Sequence, residues 1–155
     1  NAYDIVIPED NFRMKWNLKT YGSKWIIDPT SINEVGCIHT CQGLEVDYIG
    51  VVIIGNDLIV RNGVVQVNPA ARSTMDRSIF GWKKLMMEDK ESAKRTLRAI
   101  IKNTYKTLMT RGMKGCYIYC TDMETREYFK KRIGLNKDGT SLHSLHHPFA
   151  NSINS

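Results

Sequence analysis

ESAKRTLRAIIKNTYKTLMTRGMKGCYIYC, residues 91–120, decides the fold class. From Glu91 to Met109, the residues Ala93, Leu97, Ile100, Ile101, Thr104 and Leu108 recur at three- and four-residue spacing, which places them on one helix face. Lys94, Arg95, Arg98, Lys102 and Lys106 cover the rest and are expected to face solvent. Gly112 and Gly115 stop the helix, and Cys116 to Cys120 reads as a strand. A long amphipathic helix leading straight into an apolar strand is the repeating half-unit of an α/β sheet with helices on its faces. Asp122 then caps a second helix from Met123 to Ile133, and Gly134 closes it.

Reading outward, Tyr48 to Ile54 is the longest apolar run, broken by Gly50, and is expected to be a buried strand. Val35 to Thr40 reads as another strand, with Gln42 to Val46 as a turn between the two. Leu58 to Val67 places Asn62-Gly63 between two β-branched runs, the pair that supplies positive φ to a type I′ turn, so a β-hairpin is expected there. It reads as an insertion over residues 57–68. Tyr3 to Ile7 is a short strand ended by Pro8, Ser31 to Glu34 is turn-like, and Pro69 to Trp82 is loop. Residues 135–155 are polar and without periodicity, a flexible tail. One domain over residues 1–134 is expected.

A chain of 155 residues is long enough for one real core. Its balance of 22 Lys and Arg against 16 Asp and Glu, net +6, favours a polyanionic partner only weakly, because the charges are scattered. No run approaches the roughly 20 apolar residues that a membrane span needs, and a cytoplasmic protein is expected. The chain opens Asn1-Ala2, the pattern left by a cleaved tag, and is expected to be a piece of a longer protein. Cysteines occur as Cys37/Cys41 and Cys116/Cys120. On a strand, residues four apart lie roughly 13 Å from each other, which zinc–sulfur bonds of about 2.3 Å cannot span. Buried reduced thiols are the expectation, and no metal site.

Two segments carry chemistry. In Val35-Gly36-Cys37-Ile38-His39-Thr40-Cys41-Gln42-Gly43-Leu44-Glu45-Val46-Asp47, a strand ending in a tight turn would gather His39, Gln42 and Glu45 at the carboxyl edge of the sheet, where open α/β folds bind ligands. Gly43 would let backbone approach a ligand closely. In Tyr105-Lys106-Thr107-Leu108-Met109-Thr110-Arg111-Gly112, the helix delivers Arg111 at its end. A guanidinium stays protonated and grips phosphate through two bonds. It would stabilise charge in phosphoryl transfer, although a helix C-terminus also favours a cation for its own sake.

The run His-x-x-Gln-Gly-x-Glu resembles motif V of superfamily 1 helicases, and Thr110-Arg111 followed by a strand resembles their motif VI. With Phe12 to Leu18, Glu34 to Gly50 and Asn103 to Asp122, most of the chain looks like the bacterial Schlafen-group-3-like DNA/RNA helicase domain family. The resemblance implies a second, carboxyl-terminal RecA-like domain. Its fold would be a three-layer α/β sandwich with a mainly parallel sheet, incomplete at its N-terminus. It implies that Gln42, Gly43, Glu45 and Arg111 contact ATP, held with Mg²⁺ in the intact protein, with Gln42 near the terminal phosphates, Glu45 on the ribose and Arg111 as arginine finger. His39 and Thr40 would lie where single-stranded DNA or RNA passes. Cys37 stands where the family often has threonine, and Gly112 replaces its usual alanine. No Gly-x-x-x-x-Gly-Lys-[Ser/Thr] occurs, so the phosphate-cradling loop belongs to an N-terminal motor domain that would be this chain's partner. The chain alone is expected not to hydrolyse ATP.

Rival readings remain open at this stage. One is a RecA-like module that binds nucleic acid or protein without a working motor. Another is a Mg²⁺-dependent nuclease using Glu45, Asp47 and Asp57. Trp16 and Trp25, near Lys15, Lys19 and Lys24, suggest a base-stacking platform or simply core tryptophans. His143, His146 and His147 lie in the tail, which lacks the rigid frame a metal site needs.

Overall fold

The computed structural model describes residues 3–17, 22–41, 43–74 and 76–134. Two compact units divide the chain, Asn1–Leu44 and Glu45–Ser155. The tail and its three histidines, and Gln42, lie outside the described residues.

In the first unit, β1 (Ile5–Ile7) and β2 (Phe12–Trp16) pair antiparallel, with Ile5 opposite Met14 and Ile7 opposite Phe12. Pro8 opens the 3-10 turn between them, where its fixed φ costs nothing. Asn11 leaves that turn at φ 49°, in the left-handed region that asparagine tolerates. β3 (Glu34–Val35) adds to β2 in parallel, giving the order β1-β2-β3. Buried Asn17 extends this pairing. Its N–H donates to the Val35 carbonyl at 2.9 Å, and its Nδ2 donates to the Glu34 carboxylate at 2.6 Å.

The strand expected from Val35 to Thr40 ends at Val35, and α1 (Ile38–Cys41) takes its place. The Thr40 hydroxyl accepts the Cys37 N–H at 2.8 Å and donates to the Cys37 carbonyl at 2.9 Å. Such local side-chain bonds compete with a strand ladder. Gly36 lies against Trp25, whose ring a Cβ would meet at 2.5 Å. The chain bends where only glycine fits.

The second unit is built on β4 (Val46–Ile54), β5 (Leu58–Arg61), β6 (Val64–Val67), α2 (Trp82–Glu88), α3 (Lys90–Met109), β7 (Gly112–Cys120) and α4 (Met123–Arg132). β4 and β7 run parallel, with Val46 opposite Gly112 and Ile54 opposite Cys120. The β7 strand begins at Gly112, earlier than expected, because both glycines are absorbed into an irregular register near its start. A Cβ on Gly112 would collide with the Gly115 carbonyl. β4 is buried only toward its end: Val52 and Ile54 are inside, whereas Tyr48 and Val51 are 58% and 60% exposed.

The hairpin forms as expected, β5 against β6 antiparallel, with Asn62 at φ 54° and Gly63 at φ 73°. It is not peripheral, because Leu58, Val60 and Val65 are core residues. Across from them α3 buries Leu97, Ile101, Tyr105 and Met109, and Ile79 and Phe129 complete the cluster. Lys102, expected in solvent, is buried beside this stripe. Burial lowers its pKa, and the neighbouring Arg98 charge lowers it further.

The segment read as loop folds into 3-10 turns at Pro69–Ala71 and Arg77–Ile79, followed by α2. A buried polar network holds it. Tyr105 donates to Asp57 at 2.6 Å, and Arg72 bridges Asp57 at 2.8 Å and Asp76 at 2.7 Å. A second knot joins hairpin to α4. Asp122 caps α4 through the Thr125 N–H at 2.9 Å and takes a two-pronged pair from Arg61 at 2.8 Å. Fully buried Thr125 accepts the Val60 N–H at 2.9 Å.

The described strands thus make three small sheets of three, two and two strands. The architecture is mixed α/β with one parallel pair central to the second unit, and the expected three-layer sandwich is not seen as such among the described residues. None of the described helices is long and apolar enough to cross a membrane.

Candidate functional site

Glu45 and Arg111 come together at one end of the β4–β7 pair. Each stands one residue before its strand. The Val46 N–H donates to the Arg111 carbonyl at 3.1 Å, extending the parallel ladder backwards. Adjacent strands run about 4.8 Å apart, so the residues preceding this pair are immediate neighbours along the ladder. They sit at the amino ends of these strands. The expected gathering at a carboxyl edge is therefore corrected, since β3 stops at Val35 and α1, not a buried strand, precedes Gly43.

The Glu45 carboxylate is exposed and makes no hydrogen bond or ion pair among the described residues. It is free to accept from hydroxyl groups. Half-buried Arg111 donates its Nε to the Thr107 carbonyl at 3.3 Å. This is the last turn of α3, where a cation also suits the helix dipole. Part of that guanidinium is thereby oriented by its own helix.

His39, Thr40 and Gly43 belong to the first unit. His39 is exposed on α1. The Thr40 hydroxyl closes the Cys37 turn. Gly43 holds φ 81° with open space around it, so its backbone is accessible.

The carboxylates of the nuclease reading do not converge. Glu45 and Asp57 flank opposite ends of β4, a strand spanning roughly 30 Å. Asp47 pairs with Lys114 at 2.7 Å, and both Asp57 oxygens are occupied by Tyr105 and Arg72. No group of three or more His, Cys, Asp or Glu is placed to hold a metal among the described residues. Burial raises the Cys116 thiol to about 12 and the Cys120 thiol to about 11, so both stay protonated. Trp25 is packed against Gly36 rather than presented to a base.

Sequence reasoning missed the Asp57–Tyr105–Arg72–Asp76 network and the Val46–Arg111 bond. The first has a faint signal, an arginine four residues from an aspartate in a polar stretch. The second has none, because it joins main-chain atoms.

The described geometry is thus a parallel strand pair with a carboxylate, Glu45, just before one strand and an arginine, Arg111, between α3 and the other. The chain belongs to the Schlafen group 3, DNA/RNA helicase domain family, which it matches over residues 1–122. It is also similar to a Saccharomyces cerevisiae protein named Uncharacterized protein YPL245W, with 33% identity over 123 residues, 76% of this chain and 25% of the relative. The chain spans about a quarter of that relative's length. No solved structure matches.

Proposed function

We propose that this chain is the carboxyl-terminal, RecA-like part of a superfamily 1 helicase-like NTPase, completing an ATP site whose phosphate loop lies in a separate N-terminal motor domain. The observation that carries this reading is the Val46–Arg111 backbone bond, which joins the two motif segments at one end of the β4–β7 pair. Glu45, exposed and without a partner among the described residues, suits the hydroxyls of a ribose. Arg111 suits the phosphoryl oxygens; Gln42 and Gly43 enter this reading through the sequence motif that they share with Glu45. ATP would bring Mg²⁺, held from the other domain. Hydrolysis would alter the angle between motor domains and move single-stranded DNA or RNA past the segment bearing His39. Thr40 serves this reading by shaping the turn that presents His39.

Arg111 is the group to test. In the intact polypeptide, Arg111→Ala is expected to lower ATP turnover by roughly 10³–10⁵ while nucleotide still binds. Arg111→Lys recovers little of it, because an ammonium lacks the planar fork. Unchanged turnover in the alanine variant would overturn the assignment. The 155-residue chain alone is expected to show no turnover.

A further inference from the structure

The chain holds two Cys-x-x-x-Cys pairs of identical spacing, and the fold treats them differently. Cys116 and Cys120 lie on β7, where residues four apart stand roughly 13 Å from each other. Cys37 and Cys41 share one helical turn. The Cys41 N–H donates to the Cys37 carbonyl at 3.0 Å. Four helical rises put such residues about 6 Å apart on one face, within the roughly 4.4–6.8 Å between Cα atoms that a disulfide bridges.

The side chains agree with that placement. A Cβ on Gly36 would lie 3.0 Å from the Cys41 Sγ, so this sulfur reaches back across the turn to the residue before Cys37. The Thr40 hydroxyl lies 3.8 Å from the Cys37 Sγ, and the same side chain hydrogen-bonds the Cys41 thiol. Both cysteines are free. Cys37 is half-buried and reachable, whereas Cys41 is only 6% exposed. Burial, more than any neighbour, raises the Cys41 thiol above its usual range and keeps its proton on.

We infer that Cys37 and Cys41 form a reversible oxidation site for hydrogen peroxide, in which Cys37 reacts first and Cys41 closes a disulfide onto it. The Cys37 thiolate attacks one peroxide oxygen. An S–O bond forms, the O–O bond breaks, and the thiol proton leaves with the other oxygen as water, giving a sulfenic acid. The Cys41 sulfur then attacks the Cys37 sulfur. The S–S bond forms, the S–O bond breaks, and the Cys41 proton leaves with the hydroxyl as a second water. Two thiols lose two electrons, and one peroxide gains them. Closure draws the Cβ atoms from about 5–6 Å to about 3.5–4.5 Å, which tightens the turn carrying His39. A bond made against that resistance is of the easily reduced, regulatory kind. The site stands whether or not the neighbouring segment meets ATP.

Each pair falls within one tryptic peptide, residues 25–61 and 115–126, so alkylation and mass spectrometry read the two separately. Hydrogen peroxide on the folded 155-residue chain is expected to remove two hydrogens from peptide 25–61 and to leave Cys116 and Cys120 open to alkylation. Glutathione is expected to restore both thiols. In urea the two pairs, equal in spacing, are expected to close alike. Cys41→Ser should stop the reaction at a Cys37 sulfenic acid that dimedone captures. Cys37→Ser should slow oxidation of Cys41 at least about tenfold, because susceptibility follows exposure. Closure of Cys116 on Cys120 in the folded chain at an equal rate would overturn the inference. So would a Cys37–Cys41 bond that forms only in urea, a covalent dimer as the main product, or a Cys37 sulfinic acid beside a free Cys41.

Discussion

Arg72 holds two carboxylates at once, Asp57 at 2.8 Å and Asp76 at 2.7 Å, with only 6% of its side chain exposed. Removing it takes the cation away from buried Asp57 and half-buried Asp76. Arg72→Ala is expected to destabilise the second unit by about 3–5 kcal/mol, measured as a shift in urea midpoint. Tyr105→Phe removes only one partner of Asp57 and is expected to cost about 1–3 kcal/mol. Asp122 acts at the surface and through pH. Hydrogen bonds from Arg61 and Thr125 hold its carboxyl well below the usual carboxylate range. A group depressed in the folded state contributes stability above its unfolded pKa of about 3.9 and loses that contribution as pH falls below it. Asp122→Asn is therefore expected to lower the melting temperature near neutral pH, in line with a cap and ion-pair loss of about 1 kcal/mol. The variant and the parent should converge in acid. A difference that grows below pH 4 would contradict this assignment of the Asp122 charge.

Among the elements, the start of β7 is the most constrained. A Cβ at Gly112 meets the Gly115 carbonyl, whereas one at Gly115 meets only the Tyr48 ring at 3.1 Å. Gly112→Ala is expected to destabilise well beyond Gly115→Ala, and in the intact polypeptide to lower ATP turnover by displacing Arg111. Matching melting temperatures for the two variants would sink this expectation. The same element explains what the sequence could and could not reveal. Helix α3, hairpin β5–β6 and the Asp122 cap were legible because their signals are local: period, Asn-Gly and a capping aspartate. The Gly112 and Gly115 pair looked like a helix stop, and the bulged register that absorbs them exists only once β4 is alongside. α1 was misread as strand because a Thr40 hydroxyl bond and the Trp25 ring decide it. Glu45 and Arg111 could be picked out as residues, but their junction through Val46 could not.

At the scale of the whole molecule, the two units differ in how much they bury. Among the described residues of the first, only Asn17 and Cys41 are buried, whereas the second holds a continuous core from Val52 to Phe129. Hydrogen exchange is expected to follow that contrast. Amides of β1, β2 and β3 should exchange by low-energy local opening, while those of α3, β7 and the end of β4 should exchange only near global unfolding. Equal protection in both units would refute it.

The hydrogen bond from Val46 to Arg111 has a consequence for how such chains can vary. It joins residues far apart in sequence through atoms that every amino acid except proline on the donor side possesses. The bond itself thus asks nothing of the side chains of Val46 and Arg111, although Gly112 beside it has no room for one, and it fixes the count of residues. Adding or deleting one residue between Leu44 and Val46, or between Thr110 and Gly112, shifts the partner and turns each following strand side chain to the other face. Spacing, more than residue identity, is what this junction would force its relatives to keep.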